Sequence, residues 1–161
     1  DGCSVPTFSI PLFNSAWGWA RLVNPAGLPD KRTKACQTIT NTMGTHPFHI
    51  GGPGRFDTQL MKTAPGKIIS KTGAEAFQAA GIFKNAIAPG SPALGIALKI
   101  ADGDQGNRSR RAVMLEVLNQ LNLLSPKEQS DLGEFGPVLE YRNQCGIVIG
   151  QGNPCFQLQY S

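Results

Sequence analysis

Lys71-Thr72-Gly73 is the segment whose residue types lend themselves most directly to chemistry. On a strand, a lysine can hold a positive field beside a nucleophilic serine and its proton relay. A threonine can donate its hydroxyl to a substrate carboxylate, and a glycine lets a substrate approach the backbone. Chance alone supplies such a tripeptide in roughly a few per cent of chains this long; it is then an exposed strand end with a solvated lysine. Glu75 follows closely, as a proton partner or a salt-bridge partner of Lys71. Arg55 and Asp57, beside the Gly51-Gly52-Pro53-Gly54 loop, are candidates for binding substrate, although a buried ion pair fixing the loop is the favoured reading. His46 and His49 are three apart, but Pro47 between them and the glycine loop after them favour a structural role. Asp102-Gly103-Asp104 resembles part of a calcium loop without its later ligands and closing glutamate, and reads as a turn. Trp17 and Trp19 read as packing residues.

These candidates need elements to hold them. Leu12, Ala16, Trp19, Ala20 and Val23 recur at helical spacing, and Asn24-Pro25-Ala26-Gly27 ends that helix. A second helix is expected over 30–43, with Ala35, Cys36, Ile39 and Met43 inward. A short one is expected over 57–63, with Leu60 and Met61 inward. Residues 67–72, 76–83 and 93–100 read as a three-strand meander, with Gly73 where the first pair bends. The next helix is expected over 110–124, its inner stripe Val113, Val117, Leu118, Leu121 and Leu124. Ser125-Pro126-Lys127-Glu128 has the pattern of a capped helix start, with proline at the first position; that helix should run to about Leu132. Two or three strands follow, over 138–141, 145–149 and 155–160. Helices, a meander, helices and strands in that order give an α+β class with a largely antiparallel sheet.

Composition excludes several alternatives. The chain has 161 residues, 40% of them hydrophobic and 16% charged, which suits one globular domain. No apolar run reaches the about 18 residues of a membrane span. Net charge is +4, but the one basic run, Arg108-Ser109-Arg110-Arg111, opens a predicted helix and reads as solvated surface. It lacks the broad stripe of a nucleic-acid protein. Cys3, Cys36, Cys145 and Cys155 include no CxxC pair. Cys145 and Cys155 flank a glycine-rich turn, which allows a cross-hairpin disulfide that sequence alone does not fix. Asn107-Arg108-Ser109 is a lone glycosylation sequon. The start at Asp1-Gly2-Cys3 has neither the basic nor the apolar region of a signal peptide. Without an initiator Met, the expectation is a processed product or a fragment. The compartment, cytoplasmic or secreted, stays open.

Several blocks carry a resemblance. Asp1-Gly2-Cys3-Ser4-Val5-Pro6-Thr7-Phe8 with Pro11-Leu12 is the first. His46-Pro47, Gly54-Arg55-Phe56-Asp57-Thr58 with Leu60-Met61, and Pro65-Gly66 follow. Then come Lys71 with Gly73-Ala74-Glu75, and the run from Gly95 to Gly103. In order and spacing these resemble the rhizobial-type, or asparaginase II, L-asparaginases over nearly the whole chain. The resemblance implies a serine β-lactamase-like fold, in a superfamily where a K-T-G strand lines the site. It implies hydrolysis of L-asparagine to L-aspartate and ammonia by an S-x-x-K serine, helped by a second serine and a second lysine. Lys71 matches that second lysine, with Thr72 and Gly73 as the substrate edge. It also implies zinc beside the site, held by two cysteines and a lysine. Cys3 matches one of those cysteines, and Asp1 falls nearby.

The departures matter as much. No serine here has a lysine three residues on, and Ser125-Pro126-Lys127 misses by one. The family's other zinc cysteine and its lysine are absent too, and one cysteine does not make a zinc site. Asp1 offers no hydroxyl or thiol for an N-terminal nucleophile. The expectation is a single partial domain over 1–161, the C-terminal half of such an enzyme, inactive by itself. Its partners would be an L-asparagine-like substrate and the N-terminal half or a second copy, with no nucleic acid and no membrane. The alternative is a stand-alone, catalytically inactive asparaginase-like protein with a binding or toxin-like role.

Overall fold

A computed structural model describes residues 4–105 and 109–159. Four helices come first: α1 (Leu12–Val23), α2 (Asp30–Thr45), α3 (Pro47–Gly51) and α4 (Phe56–Thr63). Strands β1 (Ile68–Thr72), β2 (Phe77–Ile82) and β3 (Leu94–Lys99) form an antiparallel meander in the order β1-β2-β3. Helices α5 (Arg110–Gln120) and α6 (Pro126–Asp131) and a 3₁₀ turn at Gly133–Phe135 lead to the β4 (Leu139–Arg142) and β5 (Val148–Gly152) hairpin. The class is α+β with small antiparallel sheets, as the hydrophobic patterning implies.

Strand alternation divides the meander into two faces. The register pairs Lys71 with Ala79, Gly81 with Gly95, and Ala79 with Ala97, so these small residues share one face. Helix α1 lies directly on it. A Cβ built on Gly95 would stand 1.8 Å from the Ala16 carbonyl oxygen and 2.6 Å from the Ala20 nitrogen. On Gly81 it would meet a Val23 methyl at 2.5 Å. Glycine at these two places is therefore what lets the helix backbone reach the sheet. The opposite face carries Ile68, Ala80, Ile82 and Ile96, packed with Leu60 and Ala64 of α4 and with Met114, Leu115 and Leu118 of α5. The site strand β1 is thus clamped between two apolar layers and paired on one side only.

Two helices differ from expectation. The inner line of α2 is Thr33, Cys36, Thr40 and Met43; Ala35 faces solvent and Ile39 is 49% exposed. Met43 packs with Val23, Met61 and Ile69, and that contact fixes the rotation of the helix. Helix α5 stops at Gln120 rather than 124. Asn122 adopts φ 55°, and the Leu123 amide reaches back to the Leu118 carbonyl at 3.0 Å, a left-handed C-terminal cap. Its buried line is Ala112, Met114, Leu115 and Leu118, with Val113 and Val117 only half-buried.

The Ser125 start is as expected. Its hydroxyl accepts from the Glu128 amide, and the Glu128 carboxylate accepts from the Ser125 amide at 2.7 Å. Lys67 donates to both Glu128 oxygens, at 2.7 and 2.8 Å, and so ties the start of β1 to α6. In the C-terminal segment, residues 153–159 form no strand. Gln120 instead holds this tail, donating to the Phe156 carbonyl and accepting from the Leu158 amide, both at 2.8 Å. Cys145 lies in the hairpin turn and Cys155 beyond the far end of β5; both thiols are exposed and free. No described helix is long and apolar enough to cross a membrane.

Candidate functional site

Lys71, Thr72 and Gly73 sit at the end of β1, where alternation sends successive side chains to opposite faces. Lys71 is exposed on the α1 face, and its ammonium bonds the Thr72 carbonyl at 2.9 Å. Gly73 shares that face. It lines a hollow of about 600 Å³ between the sheet, Thr7–Leu12 and Ser15, with Ala74, Phe77 and Lys99 on the remaining walls. A Cβ on Gly73 would stand 2.8 Å from the Phe77 ring. The glycine is therefore needed to pack Phe77, whatever else approaches. Glu75, at φ 54°, gives its carbonyl to the Lys99 ammonium and forms no ion pair with Lys71.

Thr72 faces the other way, into a closed polar network. Asp57, 2% exposed, accepts from the Ser70 hydroxyl at 2.8 Å and from the Gln78 amide at 2.7 Å through Oδ1. Through Oδ2 it accepts from the Thr72 backbone amide at 2.7 Å. Gln78 also donates to Ser70 Oγ at 2.7 Å, and its carbonyl oxygen takes the Thr72 hydroxyl at 3.0 Å. All four side chains are committed to one another. The expected Arg55–Asp57 ion pair does not form. Arg55 is exposed, while the Asp57 carboxylate is turned inward to satisfy the outward amide of the unpaired edge of β1. Asp57 thereby positions Thr72.

The cation that senses Asp57 is Arg110. It is 6% exposed, and burial pushes its guanidinium below the ordinary arginine value. Asp57 and then Asp104 pull it back up, while Arg111 and Arg55 press it down. Asp104 also accepts the Ser109 amide at 2.8 Å and the Arg110 amide at 3.0 Å, capping α5. The guanidinium of Arg111 lies 5.3 Å over the Phe135 ring, which meets Phe56 edge-on at 5.4 Å. Arg55, Arg110 and Arg111 converge with Gly54, Phe56 and Thr72 on a cavity of about 120 Å³.

The arginine run is therefore not the solvated surface the sequence suggests, at least at 110 and 111. A signal was available: cations in the first turn oppose the helix dipole, so their presence there calls for a local reason. Ser70 and Gln78 were not expected to matter. Their polarity inside an otherwise apolar meander was the available clue.

Cys3 and Asp1, the expected metal residues, lie outside the described residues, as do Asn107 and Arg108. Among the described residues no three His, Cys, Asp or Glu groups converge on a point that could hold a metal. His46 and His49 approach to 6.1 Å between ring centroids at the start of α3, both exposed.

No curated protein matches the chain. A family model described as L-asparaginase II matches residues 1–154. That span contains the lysine strand, the Asp57 network and the arginine cavity, and on this match the chain belongs to the L-asparaginase II family.

Proposed function

We propose that this chain is the C-terminal portion of a serine-dependent L-asparaginase with a serine β-lactamase-like fold, hydrolysing L-asparagine to L-aspartate and ammonia. Family membership supports a small amide substrate of this kind. The observation that carries the site assignment is the exposed Lys71 ammonium on the edge strand. It shares a sheet face with Gly73, which lines the roughly 600 Å³ hollow.

Lys71 works in this reading as a positive charge and proton carrier beside a serine supplied from outside this sequence. Its only described hydrogen bond is to its own neighbour's carbonyl, so the side chain can swing to that serine without breaking a buried network. Gly73 and the Thr72 carbonyl form the substrate edge. Asp57 acts through Thr72, holding the strand end at fixed height. Arg55 stands on the opposite face of the strand, away from the hollow that Gly73 lines. The attacking alkoxide must form within hydrogen-bond reach of a base; Ser70 does bond the Asp57 carboxylate, but both are buried, on the sheet face away from the hollow beside Gly73.

The test measures ammonia release from L-asparagine by the purified chain, alone and with the preceding half of an intact family member. No release alone, release on recombination, and loss of it with Lys71→Met are expected. Turnover by the chain alone, or a fully active Lys71→Met recombinant, overturns the assignment.

A further inference from the structure

Strand β5 pairs with β4 along one edge, and no described strand pairs with its other edge. A free edge of this kind is a template for a further strand, and proteins commonly guard it with lysine or another charge. This edge has no such guard: from Asn143 to Gln159 no residue carries a formal charge. Ile147, Val148 and Ile149 are exposed along it. A two-stranded hairpin is also marginal by itself in water, so a further strand on this edge would stabilise it.

The cysteines point to the occupant. Strand β5 runs from Val148 to Gly152, so Gly150 is its middle residue. Cys145 stands five residues before Gly150 and Cys155 five residues after it. Both thiols are exposed and free. They cannot join within one copy, because the length of β5 alone separates them by about 13 Å, beyond the roughly 7 Å between Cα atoms that a disulfide tolerates. A two-fold axis through the middle of β5 would pair two copies antiparallel and oppose each residue to its mirror position in the strand. That register sets Gly150 against Gly150, Ile149 diagonal to Ile149, and Cys145 of each copy beside Cys155 of the other. Opposed residues of antiparallel strands stand about 4.5–5.5 Å apart at Cα, within the about 4.4–6.8 Å that a disulfide spans. Each copy carries a net charge of +4, yet this segment brings no like charges together.

We infer that the free edge of β5 binds a second copy of the chain, antiparallel about Gly150, and that two Cys145–Cys155 disulfides between the copies lock the pair. The joined sheet has the order β4-β5-β5-β4. Each link forms by exchange with a low-molecular-weight disulfide such as oxidised glutathione. The Cys145 thiolate attacks one sulfur and expels the other as a thiolate. Cys155 of the second copy then attacks the mixed disulfide and expels the second small thiolate. Two protein thiols are oxidised, one small disulfide is reduced to two thiols, and the two protons pass to them through solvent. The pairing needs no substrate and does not rest on the amidase reading.

The experiment incubates the 161-residue chain with oxidised glutathione, or with excess reduced glutathione. Products are read by non-reducing gel, light scattering and mass mapping of linked peptides. A covalent dimer is expected with the oxidised form only, its mapped link joining residues 145 and 155. Cys145→Ser and Cys155→Ser, both exposed changes, should each lose the covalent dimer. An equimolar mixture of the two variants should recover it, through one link per dimer. Gly150→Lys places like charges opposite each other at the axis and should slow linkage about fivefold. Links of 145 to 145 or 155 to 155, glutathione adducts on monomer alone, or either serine variant dimerising like the wild type overturns the inference. A Gly150→Lys chain that links at the wild-type rate does so too.

Discussion

In the β1–β3 sheet, Gly95 lies against the backbone of α1. In the β4–β5 hairpin, Gly150 would place a Cβ no closer than 3.9 Å to the Tyr141 ring. The first sheet is sandwiched between helices and its centre is fully buried. The second stands in solvent, with Ile147 62% and Ile149 67% exposed. The hairpin is held by its own ladder, whereas the meander is held by what covers it. Conformational freedom in the molecule should therefore be distributed unevenly, with local opening cheapest at the hairpin.

The same substitution in both sheets breaks or sharpens this comparison. Gly95→Val pushes a branched side chain into the Ala16 carbonyl and should abolish cooperative folding, as read by urea denaturation. Gly150→Val should change stability by no more than about 0.5 kcal/mol. Equal effects at the two sites would show that α1 does not depend on close contact with the sheet.

A smaller effect is expected at the strand edge. Asp57→Ala leaves Ser70, Thr72 and Gln78 without their shared acceptor and removes a counter-charge from Arg110. It should cost about 3 kcal/mol, with faster hydrogen exchange at the Thr72 amide. Unchanged exchange at Thr72 would mean that the Asp57 bond does not order the strand end.

The smallest effect is pH-dependent. Burial raises the Glu128 carboxyl, but hydrogen bonds from Lys67 and Ser125 outweigh it, and the net shift is below the ordinary 4.5. A lowered folded value means stability fully present above the unfolded value and lost as pH falls through the folded one. Melting temperature should therefore decline below about pH 4.5, less steeply in Lys67→Met. The pair is partly exposed, at 32% and 16% of the two side chains, so the difference should be modest.

Much of the fold was legible in the residues because it rests on local periodicity and punctuation. The limits of α1, the three meander strands and the Ser125 cap follow from spacing and turn chemistry alone. The face of α2 was not legible. Ile39 is the more hydrophobic residue, but the rotation is set by where Met43 meets Val23 and Ile69, a contact distant in sequence. The end of α5 depended on Asn122 taking a left-handed conformation, which propensity only weakly favours. At the site, Lys71-Thr72-Gly73 was found as a motif. Its division between two faces follows from strand alternation, while the burial of Arg110 depends on tertiary packing. Asp57 was singled out for the right neighbourhood and the wrong partner.

The bond from Thr72 to Asp57 also bears on how the molecule meets others of its kind. An unpaired strand edge is a template on which another chain can add a strand. Here the outward amide at Thr72 is already occupied by a buried carboxylate oxygen that an incoming strand would have to strip of its donor. A second chain extending the meander past β1 would meet that penalty at its first rung. The hydrogen bond that sets the height of the lysine strand therefore also disfavours strand addition at this rung of the sheet edge.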